Sequence, residues 1–302
     1  MKKVLLIYGG NSSEHEISCK SKDFIVDNID TNKYTLDTLY ITKNNEYYLN
    51  NNIIIDIINT LKKYDIVFPI IHGNNGEDGK LQGMLDLFNI KYVGSKCGSS
   101  YICMDKIRTK QIISTLGIKQ VPYQIYNKDI NIEYPVIVKP SNGGSSIGIS
   151  VVHNKKELNK AIKLAKKYDN KIIIEQFLDN IKEIECAVIK DKNKLFMEVG
   201  EINCHNTFYD YNTKYESNDI DINYNPDIDI NLVKEYSKKI FNELELDNYA
   251  RIDFFYHNNI LYFNEVNTIP GFNSISMFPK LMEKHFTPSE LITKLIENTK
   301  II

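Results

Sequence analysis

Between Val4 and Val93, short apolar runs (VLLIY, YTLDTLYI, IVFPII) alternate with stretches of helical spacing, notably Ser13–Asn28 and Lys80–Phe88. That alternation predicts a parallel α/β unit. Gly9 and Gly10 end the first run, where open α/β sheets place their ligands. From Gly94 to Ile174 the pattern predicts a helix over Met104–Leu116, a strand over Val136–Lys139, a Gly/Ser loop, another strand and an amphipathic helix near Lys155–Tyr168. This reads as a small α+β unit. The remainder predicts a strand through Glu185–Ile189, a polar aromatic loop over Asn203–Asp219, a helix near Asn231–Leu244, two strong strands and a terminal helix after Pro288. Three domains are expected, over 1–94, 95–174 and 175–302.

The two strong strands lie in ARIDFFYHNNILYFNEVNTIPGF, which reads as a hairpin turning at His257-Asn258-Asn259. Period-two alternation puts Arg251 and Asp253 on one face, with Ile252 and Phe254 opposite, and groups Glu265 with Asn267 on the second strand. A turn centred on Asn258 sets Arg251 across from Glu265. Two acids and an amide supply the hard oxygen ligands that Mg²⁺ takes, and an arginine beside them neutralises charge developing on a transferring phosphoryl group. A cross-strand salt bridge with a satisfied asparagine is the plainer alternative. A second stretch, VIVKPSNGGSSIGISVV, ends a buried strand at Lys139 and opens into the loop Ser141–Gly148. Such a loop lets backbone N–H groups approach phosphates, with Lys139 as a point charge, although a glycine-serine loop is also an ordinary turn. It is not GxxxxGK[ST], so a Walker-type loop is rejected.

Composition narrows the partners. The net charge of -2 gives no basic field to collect nucleic acid or an anionic membrane surface, so small molecules are the expected partners. Cys19, Cys97, Cys103, Cys186 and Cys204 form no CxxC pair, which argues against a disulfide framework and a zinc site and favours the cytoplasm. The opening MKKVLLIYGG is too short an apolar run for a signal peptide or membrane span.

Taken in order, GGNSSEHEIS, IHGNNGEDGKLQGMLDLFNIKYVGS, MDKIRTK, VKPSNGGSSIG, FYDYNTKY, RIDFF and NEVNTIPGF resemble the D-alanine–D-alanine ligases of the ATP-grasp superfamily, across nearly the whole chain. The resemblance implies an ATP-grasp fold of three domains, with ATP between the central and C-terminal ones. It implies that Lys106 and Lys139 bind ATP phosphates beneath the loop holding Ser145, Ser146 and Gly148. Glu175, Phe177 and Leu178 match the segment beside the adenine. Glu183 matches the acid that receives the ribose hydroxyls, with Glu185 as the alternative, because LDNIKEIE lacks the usual glycine and is one residue longer. Glu14 matches the anchor for the first substrate's ammonium group, and His72 lines the same pocket. Lys214 and Tyr215 belong to a closing loop, Tyr215 reaching Ser145 and Glu14. Ser276 and Met277 match the second substrate's site, and the Gly271 N–H joins Arg251 as oxyanion donor. His15 is read as a surface residue, and Asn273 replaces the family's usual threonine.

The implied reaction activates the first D-alanine as an acyl phosphate at the expense of ATP, then joins it to the second. Two Mg²⁺ ions, or Mn²⁺ in their place, fall to Asp253, Glu265 and Asn267. The family implies a homodimer and a place in peptidoglycan precursor synthesis. Rivals are a D-alanine–D-serine or D-lactate ligase, the Lys214-Tyr215 pair favouring a dipeptide over lactate, and a nucleotide-binding regulator of this fold without turnover.

Overall fold

A computed structural model describes residues 1–128, 131–203 and 221–299. Its first sheet comprises β1 (Lys2–Gly9), β2 (Tyr34–Ile41), β3 (Tyr47–Leu49), β4 (Asn52–Ile54) and β5 (Ile66–Pro69), ordered β4-β3-β2-β1-β5. β1 pairs in parallel with β2 and β5, as the apolar runs predict, whereas β3 and β4 add an antiparallel edge. Val4, Leu5, Leu6 and Ile7 are all buried, which explains the unbroken run: β1 is covered on both faces. Helices His15–Asn28 and Lys80–Leu87 fall where helical spacing places them.

The second sheet contains β6 (Tyr123–Ile125), β7 (Val136–Pro140), β8 (Ser150–Val152) and β9 (Ile172–Gln176), ordered β6-β9-β7-β8. Helix Lys155–Ala165 buries Leu158, Ala161, Ile162 and Ala165 against it. The single helix expected over Met104–Leu116 is instead two, Cys97–Met104 and Lys106–Ile113, with a 3₁₀ turn at Ser114–Leu116. Asp105 causes the break. Its extended backbone (φ −87°, ψ 96°) ends one helix, and its carboxylate accepts from the Arg108 N–H as N-cap of the next.

In the third sheet, β10 (Lys182–Asp191), β11 (Lys194–Asn203), β12 (Asp221–Asn223), β13 (Tyr249–His257) and β14 (Ile260–Asn267) run in the order β12-β11-β10-β13-β14. The β13–β14 register differs from expectation: Arg251 lies across from Asn267, and Asp253 from Glu265. Two causes add. Asn258 and Asn259 both adopt positive φ (48° and 61°), making a two-residue turn, and the register shifts by one more residue beyond Asp253/Phe254.

The first and third units share a core in which β1 residues Val4 and Leu6 join Tyr249, Phe272, Phe278 and the terminal-helix residues Leu291 and Leu295. The Phe272 ring packs edge-on against Phe24, Phe68 and Tyr249 and tilts over Phe278. Helices Cys97–Met104 and Lys106–Ile113 also contribute to the third unit's other core, through Cys103 and Ile113. The loops after β1, β5 and β14 therefore converge. Phe278→Ala removes a fully buried ring from this joint core and is expected to destabilise the protein by about 3–5 kcal/mol, measured by urea denaturation.

Candidate active site

A cleft of about 570 Å³ lies between the second and third sheets and is lined by Lys106, Lys139, Ser145, Ser146, Glu175, Phe177, Leu178, Glu183 and Glu265. Of the residues matched to nucleotide binding, Lys106, Lys139, Ser146, Glu175, Phe177, Leu178 and Glu183 all line it, whereas Gly148 of the phosphate loop does not. Glu183 faces this cleft, while Glu185, two residues on, does not line it. β10 is long enough to carry both acids, and Glu185 pairs instead with Arg251 at 3.1 Å.

Charge in the cleft is paired rather than loose. Glu175, 2% exposed on β9, meets Lys139 Nζ at 2.5 Å through one carboxylate oxygen and Lys110 Nζ at 3.0 Å through the other, the second contact lacking good hydrogen-bond alignment. Burial alone pushes the Glu175 carboxyl up. Lys110 and Lys139 outweigh it and hold the group at about 2. Burial pushes Lys110 below its ordinary range, with Glu175 opposing. Lys110 was not singled out in the sequence, where it is one lysine among many. Its spacing of four from Lys106 was the available signal, since both then project from one side of a helix.

Asp105 sets the position of Lys106. Buried, it accepts from Ser141 Oγ at 2.5 Å and Lys171 Nζ at 2.5 Å, while the Lys106 N–H donates to Ser141 O. The first turn of the helix is thereby tied to the end of β7, and Lys106 Nζ reaches Gly143 O at 2.5 Å. The loop itself places Ser145 and Ser146 at φ 54° and 58°, a conformation costly for residues with a Cβ.

A smaller cleft of about 40 Å³ adjoins the first, lined among others by Glu14, Glu77, Lys106, Ser145, Arg251, Glu265 and Asn267. Glu14 enters from the helix start at His15, and Ser145 Oγ donates to its Oε1 at 2.5 Å. Gly73 makes this approach possible. A Cβ there would stand 2.4 Å from Glu14 Oε2, and glycine adopts its φ of +70° without strain. Arg251 grips Asp253 with a fork, Nε to Oδ1 and an Nη to Oδ2, both at 2.8 Å, and Asn267 Nδ2 donates to Asp253 Oδ2 at 3.0 Å. Lys106 Nζ lies 3.7 Å from Glu265. The expected Arg251–Glu265 opposition is thus replaced by an Arg251–Asp253 fork, with Glu265 facing Lys106.

Other expected residues sit differently. His72 lines neither cleft: its Nδ1 meets Ile269 O at 2.8 Å and its Nε2 meets Ser21 Oγ at 2.9 Å. Burial pushes its pKa down, which favours the neutral ring. Ser276 precedes helix Met277–Met282, its Oγ accepting from the Asn273 N–H, and Met277 is buried. Asn273 is buried too, its Oδ1 accepting from the Ile275 N–H. Gly271 lies buried in the turn after β14. Lys214 and Tyr215 lie outside the described residues. The surface reading of His15 is overturned, since the ring is 4% exposed, with Nδ1 at 2.6 Å from Gly10 O and Nε2 at 3.0 Å from Tyr40 Oη.

Family models confirm what this geometry suggests. The "D-ala D-ala ligase C-terminus" model matches residues 112–297, and the "D-ala D-ala ligase N-terminus" model matches 3–58 and 54–95. The chain belongs to the D-alanine–D-alanine ligase family. Relatives named D-alanine–D-alanine ligase include those of Thermoanaerobacter sp. (strain X514), 39% identical over 93% of this chain and 91% of theirs, and of Acetivibrio thermocellus, 37% identical over 98% and 95%. Among solved structures, the VanG D-Ala:D-Ser ligase of Enterococcus faecalis superposes with a TM-score of 0.85 at 34% identity, covering 98% of each chain. The Bacillus anthracis D-alanine–D-alanine ligase complexed with ATP superposes with a TM-score of 0.79 at 28% identity, covering 99% of this chain and 97% of that one. The D-alanine–D-alanine ligase fold is the ATP-grasp fold, and the second and third sheets enclose its cleft.

The Glu175 pairing has a pH signature. The carboxyl's folded-state pKa, about 2, lies below its ordinary 4.5, so the stability it contributes is present above 4.5 and lost as pH falls toward 2. Glu175→Gln should remove that part of the acid limb, so its melting temperature declines less between pH 4.5 and 2 than the wild type's. Parallel thermal melts across this range provide the check.

Proposed function

We propose that the chain joins two D-alanines into D-alanyl-D-alanine, with ATP converted to ADP and phosphate, for peptidoglycan precursor synthesis. The observation that carries this reading is the meeting of the two clefts at Lys106, Ser145 and Glu265, where a nucleotide cleft opens onto a smaller chamber bearing Glu14 and Arg251. A γ-phosphate under Ser145 and Ser146 would then stand beside an amino acid whose ammonium group is held by Glu14.

The first substrate's carboxylate oxygen attacks the γ-phosphorus, its bond to ADP breaks, and an acyl phosphate forms. Lys106 and Lys139 supply positive charge along the phosphates, and the Gly143–Gly148 turn supplies N–H groups. The second substrate's deprotonated amine attacks the acyl carbon, and phosphate leaves with the C–O electron pair. Arg251 and the Gly271 N–H would stabilise the oxyanion of that addition. Ser276, with Met277 beside it, is the residue assigned to the second substrate's carboxylate. Tyr215 and Lys214 would close the site against water, which otherwise hydrolyses the acyl phosphate.

Asp253, Glu265 and Asn267 fit Mg²⁺ by donor chemistry: two carboxylates and an amide oxygen on one face of paired strands, with the amide nitrogen already turned to Asp253. Bound there, Mg²⁺ or Mn²⁺ would offset phosphate charge. Asp253 would have to share its carboxylate between the ion and Arg251. A homodimer and a cytoplasmic location complete the proposal; no helix among the described residues is long and apolar enough to cross a membrane.

The VanG neighbour supports one competing reading, D-serine as second substrate. Incubation with ATP, Mg²⁺ and mixed D-alanine, D-serine and D-lactate, followed by mass spectrometry, is expected to yield D-alanyl-D-alanine as the main product. A dominant D-alanyl-D-serine peak overturns the assignment, and ATP binding without product returns the chain to a regulator. Arg251→Lys is expected to lower kcat by about 10²-fold or more with a smaller change in the KM for ATP, because an ammonium cannot reproduce the guanidinium fork. Steady-state kinetics at saturating Mg²⁺ measure both. Glu265→Ala should abolish turnover while circular dichroism stays native; near-normal turnover would remove Glu265 from the metal set.

A further inference from the structure

The turn Ile269–Phe272, which carries Gly271, is fastened to the first unit by buried side chains that the proposed reaction does not use. Glu77 accepts the Ile269 N–H on Oε1 at 2.8 Å and the Gly73 N–H on Oε2 at 3.1 Å. Ser21, fully buried on helix His15–Asn28, lies between His72 Nε2 at 2.9 Å and the Phe272 N–H at 3.2 Å. Hydrogen-bond direction follows from chemistry. A carbonyl only accepts, so in the neutral ring His72 Nδ1 carries the proton given to Ile269 O, and Nε2 must accept. Ser21 then donates its hydroxyl proton to Nε2 and accepts from Phe272. Main-chain groups on both sides of Gly271 are thus held: the N–H and C=O of Ile269 and the N–H of Phe272.

We propose that Ser21 and Glu77 are positioning residues that fix the direction of the Gly271 N–H, Ser21 acting on the turn directly and through His72. The inference rests on the ligase reading, in which that N–H serves the oxyanion. An oxyanion donor works only when aimed at where charge develops, so a turn held at both ends keeps its alignment without reorganising during reaction. The same anchors explain how residues on helix His15–Asn28 and in the loop after β5 govern a donor far along the chain.

Ser21→Ala deletes the link between His72 and Phe272. Glu77→Gln keeps size and shape but retains one acceptor oxygen where two N–H groups need one each, so it serves if Ser21→Ala does not fold. Each variant is expected to lower kcat about ten-fold, less than the 10²–10³ of losing an oxyanion donor outright, with the KM for ATP within about two-fold of wild type. Amide hydrogen exchange in a peptide spanning 269–273 should quicken in both. The double variant should lose less than the product of the single losses, because both act on one turn. Unchanged kcat in an active protein overturns the inference alone. So does a loss of kcat that follows a lowered melting temperature with the KM for ATP rising in step, the mark of general destabilisation. A wild type that makes no dipeptide overturns the ligase reading, and the catalytic role of the anchors with it.

Discussion

The antiparallel pairing of β13 with β10 and β14 is the constraint from which most of the site follows. Side chains alternate across the sheet, so pairing Asp253 with both Glu185 and Glu265 forces three acids onto one face. Mutual repulsion there would be severe without cations. Arg251, on the same face two residues from Asp253, forks that carboxylate and also meets Glu185, while Lys106 approaches Glu265 from a different unit. The opposite face buries Ile252 and Phe254, anchoring the register in the core. A one-residue slip would send the charges inward and the apolar residues to the cleft.

The larger cleft holds a second arrangement of paired charge. Glu175 sits at the base of the cleft with a lysine on each carboxylate oxygen, so both lysines are held there without a lone buried charge. Removing Glu175 would leave two lysines facing each other without a counter-charge in a poorly solvated place. Lys139, next to last on β7, is therefore both a candidate phosphate ligand and a member of the structure's internal balance. Asp105 plays the corresponding part for Lys106, breaking a helix in order to start the next at the cleft edge.

Convergence of three loops gives the smaller chamber its form. Glu14 follows β1, Gly73 and Glu77 follow β5, and the Ile269–Phe272 turn follows β14. The shared aromatic core around Phe272 keeps them together, and the buried bonds through Ser21, His72 and Glu77 set their orientation. Burial and the nearby Glu14 charge push the Glu77 carboxyl upward, while the two N–H bonds it accepts favour its charged form. Such opposition of burial and hydrogen bonding is common at functional sites.

Much of this was legible in the chain itself. Period-two alternation in ARIDFF and NEVN grouped Arg251 with Asp253 and Glu265 with Asn267, and unbroken apolar runs marked β1 and β5, because backbone geometry alone dictates those periods. Motif order identified the family and picked out residues that line the larger cleft. Register, however, depended on a two-residue turn and a bulge whose combined shift no local pattern reveals, which is why Arg251 was set across from Glu265. Lys110 and Ser21 were silent because each matters through a partner distant in the chain, Glu175 and Phe272, and Glu185, named only as an alternative to Glu183, meets Arg251 for the same reason. His15 looked like a surface residue until folding brought Gly10 O and Tyr40 Oη to its two nitrogens. Local sequence determines which face a side chain occupies, but whether that face meets solvent, a counter-charge or a turn to be held is decided only when separate elements pack together.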